Sequence, residues 1–188
     1  MQTSTKSNIR TFPIILCALF AALTAVCSAI SIPIPFTPIP INLATLSIFL
    51  AGGLLGAKWG TISQVVYVLL GAIGLPVFHN FTGGFGIIAG PTGGYIVGYI
   101  AAAFLIGYLT DKFIFSKDNK TSAIYVKLIL SMVAGGILCY TLGTIWFMKL
   151  TGTSLIPALL SCVIPFLPGD LIKILIASFL TKRLKNFL

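Results

Sequence analysis

Asp170 and Lys173 are the residues best placed to do chemistry. The sequence holds only three acidic side chains, all Asp. Two of them, Asp111 and Asp118, sit in a short polar connector. The third lies in Pro165-Phe166-Leu167-Pro168-Gly169-Asp170-Leu171-Ile172-Lys173, directly before a long apolar run. Proline and glycine punctuate the chain there, so Asp170 falls in a first helical turn, where the helix dipole favours an anion. Lys173 is three residues later, on nearly the same face. Ionisable groups in so apolar a segment are expensive, and they face a cavity or each other. Two readings stand for the pair. It is a structural ion pair, or Asp170 accepts hydrogen bonds from ligand N–H groups while Lys173 neutralises it or reaches a ligand carboxylate.

The surroundings are those of a membrane. The 188 residues are 57% hydrophobic and 8% charged, against about 25% charged in soluble domains, and mean hydropathy is +1.08. The fold class expected is an all-α integral membrane bundle of six transmembrane helices in a single domain, 1–188. Spans are predicted over about 13–31, 42–57, 59–75, 92–110, 123–148 and 169–181. A half-helix over 155–164 is broken by Pro157 and Pro165. A tight Gly56-Ala57-Lys58-Trp59-Gly60 turn separates the second and third spans.

A net charge of +9 could suggest nucleic acid. The cations instead sit at the ends of apolar segments, which argues against that partner and for the lipid bilayer. With a cytoplasmic N-terminus, Lys6, Arg10, Lys58, Lys112, Lys117, Lys120, Lys127, Lys182, Arg183 and Lys185 fall on the inner side, and Lys149 and Lys173 on the outer. That asymmetry predicts both termini in the cytoplasm of a multi-pass cell-membrane protein.

Three outer connections remain. In 31–40, four prolines within eight residues forbid a regular helix and stiffen an extended strip. This strip, with Phe36, is a rigid connector or an apolar wall over a pocket. The stretch 75–95 mixes Gly, aromatics and one amide: Phe78, Asn80, Phe81 and Tyr95 suit a flat, neutral, polar-edged ligand. His79 carries the only possible charge there. The third connection delivers Asp170. Ala18, Ala21, Ala22, Ala25 and Ala29 give the first span a smooth face. That face packs inside the bundle or docks on a separate membrane subunit.

Catalysis is poorly supported. One His and one intramembrane Asp make neither a metal site nor a triad. The four cysteines lack metal-ligand spacing and read as packing residues. No cofactor is expected. An ion-coupled or facilitated small-solute carrier using Asp170 as its proton site is the alternative to a capture subunit.

Four runs resemble the BioY family, the biotin-specific S components of energy-coupling factor (ECF) vitamin transporters. They are Pro35-Phe36-Thr37-Pro38-Ile39-Pro40-Ile41-Asn42-Leu43, Leu69-Leu70-Gly71-Ala72-Ile73-Gly74-Leu75-Pro76-Val77-Phe78, Gly90-Pro91-Thr92-Gly93-Gly94-Tyr95, and Pro165 to Lys173. The resemblance covers about 13–185 and implies the six-helix S-component fold. It also implies outer-side biotin capture, a transmembrane coupling subunit and two cytoplasmic ATPase subunits. Biotin presents a ureido ring with two N–H donors and a carbonyl, an apolar thiophane and a valeryl carboxylate. Asp170 and Asn80 are therefore expected at the ureido ring, and Phe36, Phe78, Phe81 and Tyr95 along the apolar wall. Lys173 supplies charge balance. Ala18, Ala22 and Ala25 are expected to meet the coupling subunit. The family often reads Thr-Leu-Gln-Thr where this chain reads Asn42-Leu43-Ala44-Thr45. Asn42 or Thr45 then takes over from the missing Gln. An S component for another vitamin is the nearest neighbouring reading.

Overall fold

The computed structural model describes residues 8–35, 37–113, 121–185 and 187. Phe36, Lys6, Lys117, Asp118 and Lys120 lie outside them. Helix α1 (Asn8–Ala29) leads into a two-stranded hairpin, β1 (Ser31–Ile34) and β2 (Thr37–Asn42). There follow α2 (Ala44–Ala72), the short α3 (Phe85–Ala89), α4 (Gly93–Phe113), α5 (Thr121–Thr151), the short α6 (Leu155–Cys162) and α7 (Leu167–Lys185).

Five of these helical stretches are long and apolar enough to cross a membrane. The second, α2, is folded back on itself. Gly56 leaves the helical region at φ 74° and ψ −174°, a conformation that side chains with a Cβ rarely adopt. A Cβ on Gly60 would come within 2.8 Å of the Ala51 carbonyl oxygen. Residues nine apart in a straight helix are separated by about 13 Å, so this proximity means a hairpin of two antiparallel arms. The chain therefore forms a six-helix bundle, and the turn expected at 56–60 is present. Asp111 secures it: Ala57 N–H donates to Asp111 Oδ2 at 2.9 Å. Asp111 thus belongs to the last turn of α4, which runs three residues beyond the span expected to end at 110.

The proline-rich strip is a β-hairpin, with Ser31 opposite Asn42, Ile32 opposite Ile41 and Ile34 opposite Thr37. A register irregularity falls between Ile32 and Ile34. Proline is tolerated because each strand is an edge.

The bundle has a largely apolar interior that also encloses most of its buried polar side chains, and an oily outer face. On α7, Asp170, Lys173, Ser178 and Thr181 are buried, whereas Leu171, Ile172, Leu175, Ile176 and Phe179 are exposed. On α1, Thr24 and Ser28 face inward and Ile14, Ile15, Leu19 and Val26 face outward. Thr24 and Ser47 share a hydrogen bond at 2.9 Å, and Gln64 Nε2 donates to Thr24 at 3.1 Å, tying α1 to both arms of α2. All four cysteines are buried free thiols, in keeping with their reading as packing residues.

Candidate functional site: a chamber at the hairpin end

A cavity opens at the hairpin end of the bundle. Ile39, Pro40 and Asn42 bring the hairpin to it, and Thr45, Ile48 and Phe49 the first turns of α2. Helix α4 adds Tyr95 and Tyr99, α5 adds Cys139 and Tyr140, and α7 adds Asp170 and Lys173. The wall is thus assembled from elements far apart in sequence, and most of it is apolar.

Its polar edge is one connected network. Lys173 Nζ donates to Asp170 Oδ1 at 2.8 Å, to Thr45 Oγ1 at 2.9 Å and to the Asn42 carbonyl at 2.7 Å. These use the three donors of an ammonium group. Thr45 Oγ1 donates in turn to Asp170 Oδ1 at 2.9 Å. Tyr140 O–H donates to the other carboxylate oxygen, Oδ2. Asp170 and Lys173 are only 5% and 8% exposed. A buried charge pair persists only when partnered this completely, because desolvation of each ion costs several kcal/mol, in rough terms. Such a carboxylate is a strong acceptor for a ligand N–H at the chamber wall.

Of the residues singled out in the sequence, Asp170, Lys173, Thr45, Asn42 and Tyr95 come together here. Asn42 Oδ1 also accepts the Ala44 N–H at 3.0 Å just ahead of α2, which begins at 44 rather than 42. Three others are not brought in. Phe78 is 1% exposed and meets Tyr67 edge-on at 5.6 Å. It fills the slot that Gly71 leaves open, where a Cβ would lie 2.0 Å from the ring. Phe81 is 71% exposed and points away. Asn80 lies in a turn at φ 53°, and its Oδ1 accepts the Ser31 hydroxyl at 2.6 Å. It therefore ties that turn to β1 instead of facing Asp170. The physical reason is local: the turn His79–Phe81 reverses direction within three residues and cannot aim successive side chains at one point. Phe36 lies outside the described residues.

Sequence reading missed Tyr99 and Tyr140. Tyr99 follows Tyr95 by four residues, the spacing of one helix face, and that signal was available. Tyr140 lies mid-span, and its one polar neighbour at helical spacing, Thr144, does not mark it as a site residue. On α1, Ala18 and Ala22 are exposed and Ala25 is half-buried, so the first two belong to the outward face.

Fold and site define a multi-pass membrane protein that encloses a small-molecule chamber at one end of its bundle. The chain superposes on a crystal structure of the S-component for biotin from an ECF-type ABC transporter with a TM-score of 0.86 and 30% identity, covering 97% of this chain and 95% of that one. It is 40% identical over 168 residues to the biotin transporter BioY of Thermotoga maritima, across 89% of this chain and 92% of the relative. Against BioY of Lactococcus lactis it is 37% identical over 155 residues, covering 82% and 80%. The BioY family matches residues 1–188, and the chain belongs to that family.

Proposed function

We propose that this chain captures biotin in the chamber from the outer side of the cell membrane. It then delivers the vitamin as the substrate-binding subunit of an ATP-driven ECF transporter. The observation that carries the reading is the buried Asp170–Lys173–Thr45 network at the wall of an otherwise apolar chamber, in a chain of this family. The ureido ring matches that edge: Asp170 accepts from its N–H groups, and Thr45 or Lys173 exchanges one of its present hydrogen bonds to donate to the ring carbonyl. Tyr95 and Tyr99 flank the thiophane.

The cations support the orientation. Lys58 and Lys112 sit with Lys182, Arg183 and Lys185 at the end opposite the hairpin: Lys185 donates to the Leu54 carbonyl at 2.9 Å, close to the Gly56 turn that Asp111 holds. Cytoplasmic loops carry such an excess, so both termini face the cytoplasm and the chamber faces out. The outward small-residue patch of Ala18 and Ala22, with Ala25 beside it, suits close approach by a transmembrane coupling subunit. Two cytoplasmic ATPases acting through that subunit supply the energy.

Calorimetry on the purified subunit in detergent tests this, with thiamine and riboflavin as controls. Tight one-to-one binding of biotin alone is expected. Folded protein that ignores biotin, or prefers another vitamin, overturns the assignment.

A further inference from the structure

A second, smaller chamber adjoins the first and shares Ile39, Pro40, Asn42, Tyr95 and Tyr99 with it. Its far side is polar: Ser28 from α1, Tyr67 from α2, Thr92 before α4, and His79. The hydroxyl of Tyr67 donates to Ser28 at 3.0 Å. His79 is half-buried, and its Nδ1 is fully buried without a hydrogen-bond partner among the described residues. Burial is unfavourable for imidazolium and holds the His79 pKa below its ordinary value. None of the residues lining this chamber is Asp, Glu, Lys or Arg.

Because the two chambers share a wall, a ligand anchored at Asp170 by one polar end is placed to extend toward this one. We propose that His79 is the counter-charge for the substrate's carboxylate, taking up a proton from solvent as that carboxylate enters the second chamber. The inference rests on the biotin reading and assigns the site of the vitamin's acid group. The carboxylate stays ionised. The imidazole, neutral when the chamber is empty, becomes imidazolium beside it, and Ser28 and Thr92 offer hydroxyl donors. The other titratable groups facing His79 are the phenols of Tyr67 on α2 and of Tyr95 and Tyr99 on α4. Phenols ordinarily titrate near pH 10, about 3 units above the imidazole range. Helix α1 contributes Ser28 and the hairpin Asn42, which do not titrate. Asp170 and Lys173 stand across the shared wall.

The sign follows from linkage. Binding raises the His79 pKa, so proton uptake tightens binding as pH falls through the imidazole range, about 6.5. The test is biotin affinity from about pH 5.5 to 8.5, compared with the uncharged biotinamide. Between pH 8 and 6 biotin affinity is expected to rise by about fivefold or more, within the limit of tenfold per unit for one proton, while biotinamide affinity stays flat. His79→Gln should flatten the biotin profile. Wild-type protein titrated near pH 7 in buffers of different ionisation enthalpy should show fractional proton uptake with biotin and none with biotinamide, a readout independent of any variant. Tight biotin binding with no proton uptake, or an unchanged profile in folded His79→Gln, overturns the role of His79 and leaves the biotin reading intact. Failure of biotin to bind at every pH overturns both.

Discussion

Tyr140 donates its hydroxyl hydrogen to the one Asp170 oxygen that Lys173 does not hold. The two oxygens of a buried carboxylate are thus satisfied from opposite sides, Oδ2 by α5 and Oδ1 by Lys173 of α7 and Thr45 of α2. This joins three helices around one group at the chamber wall. Tyr140→Phe keeps the ring and removes the donor. Leaving a buried acceptor bare costs about 1–3 kcal/mol, so thermal unfolding in detergent should show a clear drop in Tm. An unchanged Tm means that water or a shifted side chain replaces the phenol.

Asp170→Asn keeps the shape and removes the charge. A hydrogen bond to a charged group contributes about 1.5–3 kcal/mol, so biotin affinity should fall by about tenfold or more. Equal affinity in folded protein removes Asp170 from the ligand's contacts.

Lys173→Met strands Asp170 as an unpaired buried anion. Removing one partner of a buried pair costs about 3–5 kcal/mol, and the protein should be much less stable. Adding Asp170→Asn to Lys173→Met removes the stranded charge and should recover most of that stability without recovering biotin binding. Melting curves and calorimetry on the same samples separate the two effects. If the double variant binds biotin as the native chain does, the pair is structural only.

Ala18→Leu with Ala22→Leu fills the outward face of α1, where both residues are exposed. Uptake by cells carrying the complete transporter should fall sharply, and biotin affinity of the isolated subunit should be unchanged. Normal uptake would exclude this face as the docking surface; loss of binding as well would point to packing inside the bundle.

Gly56→Ala places a Cβ at φ 74°, 2.6 Å from the Asp111 carboxylate. A left-handed non-glycine conformation costs about 1–2 kcal/mol before the clash is counted. The variant should unfold at lower temperature than the native chain; an unchanged Tm would mean that the turn tolerates a side chain at this position.

The sequence by itself determined the membrane class, the six spans and the fold-back at Gly56, because hydropathy and glycine act over a few turns of local chain. It also singled out Asp170 and Lys173, since charge so deep in an apolar run must be partnered wherever the run ends up. What it left undecided is which distant groups become the partners. Thr45 and Tyr140 reach Asp170 across separations of 125 and 30 residues, and only the packing of α2 and α5 on α7 brings them there. The same packing withheld Phe78, which Gly71 admits to the core, and turned Asn80 toward Ser31. Residue type advertises what a side chain could bind. The direction it points depends on crossing helices and on a three-residue turn, and those are set by contacts between segments that the order of residues does not display.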